Sequence, residues 1–196
     1  NTTGANLVAV GHTAMHNNST GAGNIAIGAE ALFTNTTGSQ NTVVGYSSNY
    51  SSTGDNNTTI GYNSHTSAAN SNNQITLGNA NNDNLRCADT SISALSDSRD
   101  KTNIVDIPLG LSFLNTVRPV AFDWDTRDGT RVGKKDFGFI AQELLAAGNA
   151  TDYADHMRLV SEENPDKLEA DPMKMFPILV KAIQELSAEI EILKAK

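Results

Sequence analysis

Apolar residues in the first eighty positions alternate rather than cycle. Val8 and Val10, Ile25 and Ile27, Thr42 and Val44, Thr58 and Ile60, and Ile75 and Leu77 stand three and one places before Gly11, Gly28, Gly45, Gly61 and Gly78. A period of two puts both members of each pair on one face of a short strand, so five short strands are predicted. The glycines that close them are spaced 17, 17, 16 and 17 apart. A second series, Gly4, Gly21, Gly38 and Gly54, lies seven residues before the first four, each after a Ser/Thr-Thr pair. Asn and Thr-Gly supply turn chemistry between strands. One such coil cannot bury its apolar face; stacked coils can, and three chains side by side do so better.

The pattern then changes. Residues 80–95 lose the repeat and read as a linker, in which Leu85 to Leu95 form a strand or neck. Leu109–Val117 predicts a short helix. Pro119–Trp124 alternates like a strand, with a hairpin around Thr126–Lys135. Gly138–Leu144 opens a helix that ends near Gly148, and Met157–Ser161 is a further strand. Pro172 introduces the longest helix, Met173–Lys194. Its apolar residues Phe176, Leu179, Ile183, Leu186, Ile190 and Leu193 step by three and four, an a/d seam that pairs with copies of itself. Ile at a with Leu at d mildly favours two strands; the repeat half favours three.

Composition sharpens this division. The chain has 196 residues, 38% hydrophobic and 6% aromatic, with net charge −8. That charge argues against nucleic acid or an anionic membrane as main partner. Residues 1–95 hold one Arg and four acidic residues; the remainder holds thirteen Lys/Arg and eighteen Asp/Glu. Cys87 is the single cysteine, so neither an internal disulfide nor a paired-cysteine zinc site can form. His12, His16 and His65 fall at unrelated phases of the repeat, and no metal or cofactor is expected. His12, Tyr46 and Tyr62 directly follow repeat glycines and read as a packing ladder. The chain begins inside a repeat and reads as the C-terminal part of a longer protein. No apolar run suits a membrane helix.

Residues 1–79 resemble the head repeats of trimeric autotransporter adhesins, which also occur in phage tail fibres. The resemblance implies a left-handed parallel β-roll assembled as a trimer.

At the seam of the two halves lies Ser96-Asp97-Ser98-Arg99-Asp100-Lys101. A serine and a lysine five residues apart suggest self-cleavage, with the hydroxyl as nucleophile and the amine as base. A free lysine, with a pKa of about 10.4, is almost wholly charged at pH 7, so such a base must be desolvated or placed beside a cation such as Arg99. The cut then waits for folding. Ser96 reaches the preceding carbonyl through a five-membered ring, which places the cut at Leu95–Ser96. Asp100 opposes loss of a proton from a neighbouring amine. A polar linker or helix N-cap is the competing reading of the same hexapeptide.

Four ordered blocks extend the comparison: Ser96-Asp97 with Arg99, Lys101 and Ile104; Arg118-Pro119-Val120 with Phe122 and Trp124; Gly138 to Glu143; and Leu179 with Lys181 to Leu186. Together they resemble the intramolecular chaperone auto-processing domain that ends phage endosialidase tailspikes and tail fibres. The resemblance implies that residues 96–196 trimerise, drive folding of the β-structured fibre, and leave by a single-turnover serine endopeptidase reaction. It also implies Ser96 as nucleophile and Lys101 as general base, with Asp97 and Arg99 as accessory residues. His156 is a loose candidate for proton transfer, and Gln142 and Glu143 read as structural at a helix start.

The expected fold class is therefore an N-terminal all-β trimeric left-handed parallel β-roll, then an α+β domain ending in a long coiled-coil-forming helix. Its divisions are 1–79, 80–95 and 96–196. The expected setting is a virion tail fibre or tailspike, homotrimeric, with a host receptor or glycan as ligand. The chaperone part is made and released in the host cytoplasm. A non-cleaving trimeric adhesin with a permanent C-terminal cap is the alternative. A glycan-processing enzyme lacks a paired-carboxylate cleft in residues 1–95.

Overall fold

The computed structural model describes residues 2–82, 84–89 and 91–196. It forms two compact units. The first comprises Asn1–Leu85 with the segments Asp125–Val132 and Glu163–Lys167; the second holds the rest.

In the first unit the five predicted strands are present: β1 Val8–Val10, β2 Ile25–Ile27, β3 Thr42–Val44, β4 Thr58–Ile60 and β5 Ile75–Leu77. They pair in parallel and in sequence order, each repeat residue opposite its equivalent, as in Ala26 with Val43 and Val43 with Thr59. The result is a parallel β-solenoid of about four turns. Close stacking depends on the glycines. Gly45 has φ +138, and a Cβ there would lie 2.6 Å from the Gly61 carbonyl carbon.

The paired aliphatic residues do share a face, but it is the outer one. Val8, Val10, Ile25, Ile27, Ile60, Ile75 and Leu77 are exposed in the single chain. The middle residues point inward: Ala26, Val43 and Thr59 are fully buried. Stacking within one chain thus leaves the larger apolar stripe in water. The interior admits Met15, Ala31 and Leu32 beside these strand residues, and much of what remains is polar.

Buried asparagines fill that space as ladders. Asn24 Oδ1 accepts from Asn41 N at 2.9 Å, Asn41 Oδ1 from Asn57 N at 3.0 Å, and Asn57 Oδ1 from Gln74 N at 3.0 Å. The amide nitrogens donate to Gly38 O, Gly54 O and Ser71 O. Each side chain satisfies backbone groups that the narrow interior cuts off from water. A second ladder joins Asn35 Nδ2 to Asn18 Oδ1 at 2.8 Å. It stops at Ser52, in the 16-residue coil, where Asn35 Oδ1 and Ser52 Oγ are buried without a partner. The aromatic ladder also differs from expectation. Tyr46 stacks on Tyr62 at 5.8 Å, but Ala29 intervenes before His12. A second stack, His16–Phe33–Tyr50, had no sequence reading.

Among the described residues from 84 to 97 no strand forms, so the neck reading of Leu85–Leu95 is not met there. Thr90 lies outside the described residues.

The second unit contains α1 Leu111–Leu114, the antiparallel pair β6 Val120–Asp123 and β7 Lys135–Gly138, α2 Ala141–Asn149, α3 Ala154–Met157, the short pair β8 Val160–Ser161 and β9 Glu169–Ala170, and α4 Phe176–Lys194. Two expectations shift. Gly138 ends a strand, and the helix begins only at Ala141. Met157 closes a helix rather than opening a strand, with Arg158 in the left-handed region at φ 42. Phe113, Leu144, Met157, Leu159, Val160, Met175 and Ile178 form the core. Glu185 Oε2 accepts from Leu111 N at 2.8 Å, which caps α1 from α4. Gly110 leaves room for that carboxylate.

Helix α4 has two working faces. Ile178 and Ala182 are buried against the unit at 3% exposure each, whereas Phe176 and Ile183 of the a/d seam are 61% and 65% exposed. Leu179, Leu186, Ile190 and Leu193 are exposed as well. The intramolecular core therefore does not consume the seam. Among the described residues no helix is long and apolar enough to cross a membrane.

The ladder yields a test. Asn41→Ala strands the Asn57 N–H and Gly54 O inside the coil, while Asn24 Oδ1 keeps its bond from the backbone N of residue 41. It should cost about 2–4 kcal/mol, read as a lower denaturant midpoint of the solenoid transition.

Candidate functional site: a serine–lysine pair at the start of the second unit

Irregular chain runs into Ser96, and a single 3-10 turn, Ser98–Asp100, follows. Backbone bonds from Asp100 N to Asp97 O (3.1 Å) and from Lys101 N to Ser98 O (3.2 Å) close it. Asp97 and Lys101 are extended on either side, so the chain folds back on itself. This reversal brings Lys101 Nζ to 2.6 Å from Ser96 Oγ, to which it donates a hydrogen bond. The nucleophile and base expected from the sequence are thus adjacent within one chain. Leu95, on the acyl side of the bond expected to break, is 83% exposed.

Asp97 and Arg99, expected as accessory residues, pair with each other across the turn. Asp97 Oδ1 accepts from Arg99 N at 2.9 Å and from Arg99 Nε at 3.0 Å, while Oδ2 accepts from Nη2 at 2.6 Å. The side-chain bonds to Arg99, then its backbone N–H, hold the Asp97 carboxyl below the usual carboxylate range. The same pairing raises the Arg99 guanidinium.

Desolvation is not met in the single chain. Ser96, Asp100 and Lys101 are all exposed. The fold of one chain aligns the two groups and leaves them in water.

Other residues singled out from sequence lie in supporting positions. Glu143 sits in the first turn of α2, where Arg118 donates from Nε to Oε2 at 2.9 Å and from Nη2 to Oε1. This ties the Arg118-Pro119-Val120 block to the Gly138–Glu143 block. His156, in α3, packs against Tyr153 with ring centroids 5.5 Å apart. Among the described residues no His, Cys, Asp and Glu cluster could hold a metal.

Residues 96–157 match the family model described as "Chaperone of endosialidase", a self-cleaving peptidase family. The match begins at Ser96 and takes in the turn, α1, the β6–β7 pair, α2 and α3, and it supports a chaperone domain there. No curated protein and no solved structure matches the chain.

The Arg118–Glu143 pair carries a pH signature. The hydrogen bonds from Arg118 hold the Glu143 carboxyl below its ordinary value. A carboxyl depressed in the folded state adds stability above its unfolded pKa and loses it as pH falls through the folded one. Glu143→Gln should therefore lower the denaturation midpoint slightly at pH 7, as fits an exposed pair. The gap to wild type should close as pH falls below about 4.

Proposed function

We propose that residues 96–196 are an intramolecular chaperone that brings three chains together, drives folding of the β-solenoid before it, and then cuts itself off at Leu95–Ser96. The contact between Lys101 Nζ and Ser96 Oγ at 2.6 Å, at the start of the family match, carries this reading.

The reaction balances within the chain and one water. Neutral Lys101 takes the hydroxyl proton while Ser96 Oγ attacks the Leu95 carbonyl carbon. The Leu95–Ser96 C–N bond breaks, the proton passes to the departing Ser96 nitrogen, and an ester joins Leu95 to Ser96 Oγ. Water then hydrolyses the ester, leaving a Leu95 carboxylate, a free Ser96 amine and the restored hydroxyl.

Two exposed surfaces support trimerisation. Aliphatic residues line the outer face of the solenoid strands, and the a/d seam runs along α4. Fully burying one such side chain yields roughly 1.5–3 kcal/mol. Both faces thus stand to gain much from further copies, in a left-handed roll and a coiled coil respectively. Assembly also provides the desolvation that one chain lacks, since copies packed around the Ser96 turn exclude water from Lys101. Cleavage is in this way coupled to assembly.

The chaperone has a kinetic purpose. Parallel pairing of non-local segments is slow to nucleate. Linking the three chains raises their local concentration. Once the chaperone has left, the interlocked product has lost its easy route back and persists kinetically. The setting we propose is a phage tail fibre or tailspike, with the solenoid facing a host receptor or glycan. The exposure of Ser96 and Lys101 favours one second reading, a permanent trimeric cap that does not cut.

Intact mass under denaturing conditions separates the two. Wild type should give two fragments meeting at Leu95–Ser96, while Ser96→Ala and Lys101→Ala stay whole. Full-length wild type that is trimeric by native mass leaves the permanent cap. Association has its own test. Ile183→Asp with Leu186→Asp changes only the outward seam, so the chain should stay folded by circular dichroism and lose its trimeric native mass. A trimer that survives both changes places the association surface elsewhere.

A further inference from the structure

Six residues from Ser96 to Lys101, if extended, would hold the two ends about 17 Å apart, farther than a lysine side chain spans. The pair exists only because the Ser98–Asp100 turn reverses the chain. That turn has little of its own to hold it. Two backbone hydrogen bonds close it, none of its residues is buried, and a lone turn is an unfavourable nucleus. What remains is the Asp97 side chain. It caps the turn through Arg99 N and is gripped from the other side by the Arg99 guanidinium. Its bonds run to Arg99, so its influence reaches Ser96 and Lys101 through the backbone.

We propose that Asp97, clamped by Arg99, is the positioning residue of the self-cleavage reaction: it holds the turn that sets the Ser96–Lys101 distance and so governs the rate of cutting. The proposal rests on the self-cleavage reading above. It assigns Asp97 a geometric role and not an electrostatic one. The Asp97 charge is matched by the paired guanidinium, and the other charged groups in the turn are Asp100 and Lys101 itself.

Variants separate the roles. Asp97→Ala removes cap and clamp and should slow single-turnover cleavage roughly tenfold, the scale of a lost N-cap. Asp97→Asn keeps an oxygen for Arg99 N and loses the charge, so it should recover to within about threefold of wild type, asparagine being as good a cap as aspartate. Arg99→Gln should fall between them. The pH at which the rate is half maximal should be the same in wild type and both Asp97 variants. Asp97→Asn as slow as Asp97→Ala, or a half-maximal pH that moves when the charge is removed, would overturn the positioning role. Native mass of uncleaved Ser96→Ala chains carrying the same changes guards against a lost assembly.

If wild type does not cut, the self-cleavage reading falls, and the turn can still be measured. Exchange of the Arg99 amide hydrogen in the full chain should then be several-fold faster in Asp97→Ala than in wild type or Asp97→Asn. Equal exchange in all three would show that Asp97 does not hold the turn.

Discussion

In-register stacking of coils around a closed interior governs this protein. A coil of about seventeen residues, stacked in register on its neighbours, encloses a space that takes alanine, valine, threonine and asparagine at its repeated positions. The residues that flank Ala26, Val43 and Thr59 fall on the opposite face by alternation, and Val8, Val10, Ile25, Ile27 and Ile60 are exposed. A single chain thus meets its backbone hydrogen-bonding needs internally and leaves its main apolar surface outside. Water penalises that arrangement.

The same logic recurs in α4, which divides its surface between two tasks. Met175, in the turn before the helix, Ile178, Ala182 and Glu185 serve the unit itself, through the core and the cap on α1. The seam from Phe176 to Leu193 stays exposed. The second unit is therefore folded around one face of a helix whose other face lies outside its core. Between the solenoid repeats and α1 lies the Ser96 turn, with Ser96 and Lys101 in contact and exposed. Its geometry is local, set by the six residues from Ser96 to Lys101. Its environment is not.

The strands were legible because glycine spacing and period-two alternation are properties of the chain itself, and both survive into the structure at each of the five strands. The direction of the alternation was not. Alternation says that Val8 and Val10 share a face; it does not say whether that face is inside. The asparagine ladder was half visible: Asn24, Asn41 and Asn57 hold one phase of the repeat, yet composition alone files asparagine with turns. In the second half, Gly138 was read as opening the helix that in fact begins at Ala141. Pairing with Val120, distant in sequence, makes it a strand end instead. The contact between Ser96 and Lys101 is the most local feature and was within reach of the sequence, since residues five apart can meet through one turn. What sequence could not supply was burial, which depends on everything packed around that turn.

In-register stacking also makes the solenoid a ruler. Each coil adds one inter-strand spacing of about 4.8 Å along the stack, whatever residues its outer corners carry. Duplicating or deleting one seventeen-residue unit therefore changes reach by a fixed step and leaves the neighbouring steps intact. Gly45 and its equivalents keep the steps close, and the buried amides keep them aligned. Length can accordingly change one coil at a time, independently of whatever the tip or the attached domain has to do.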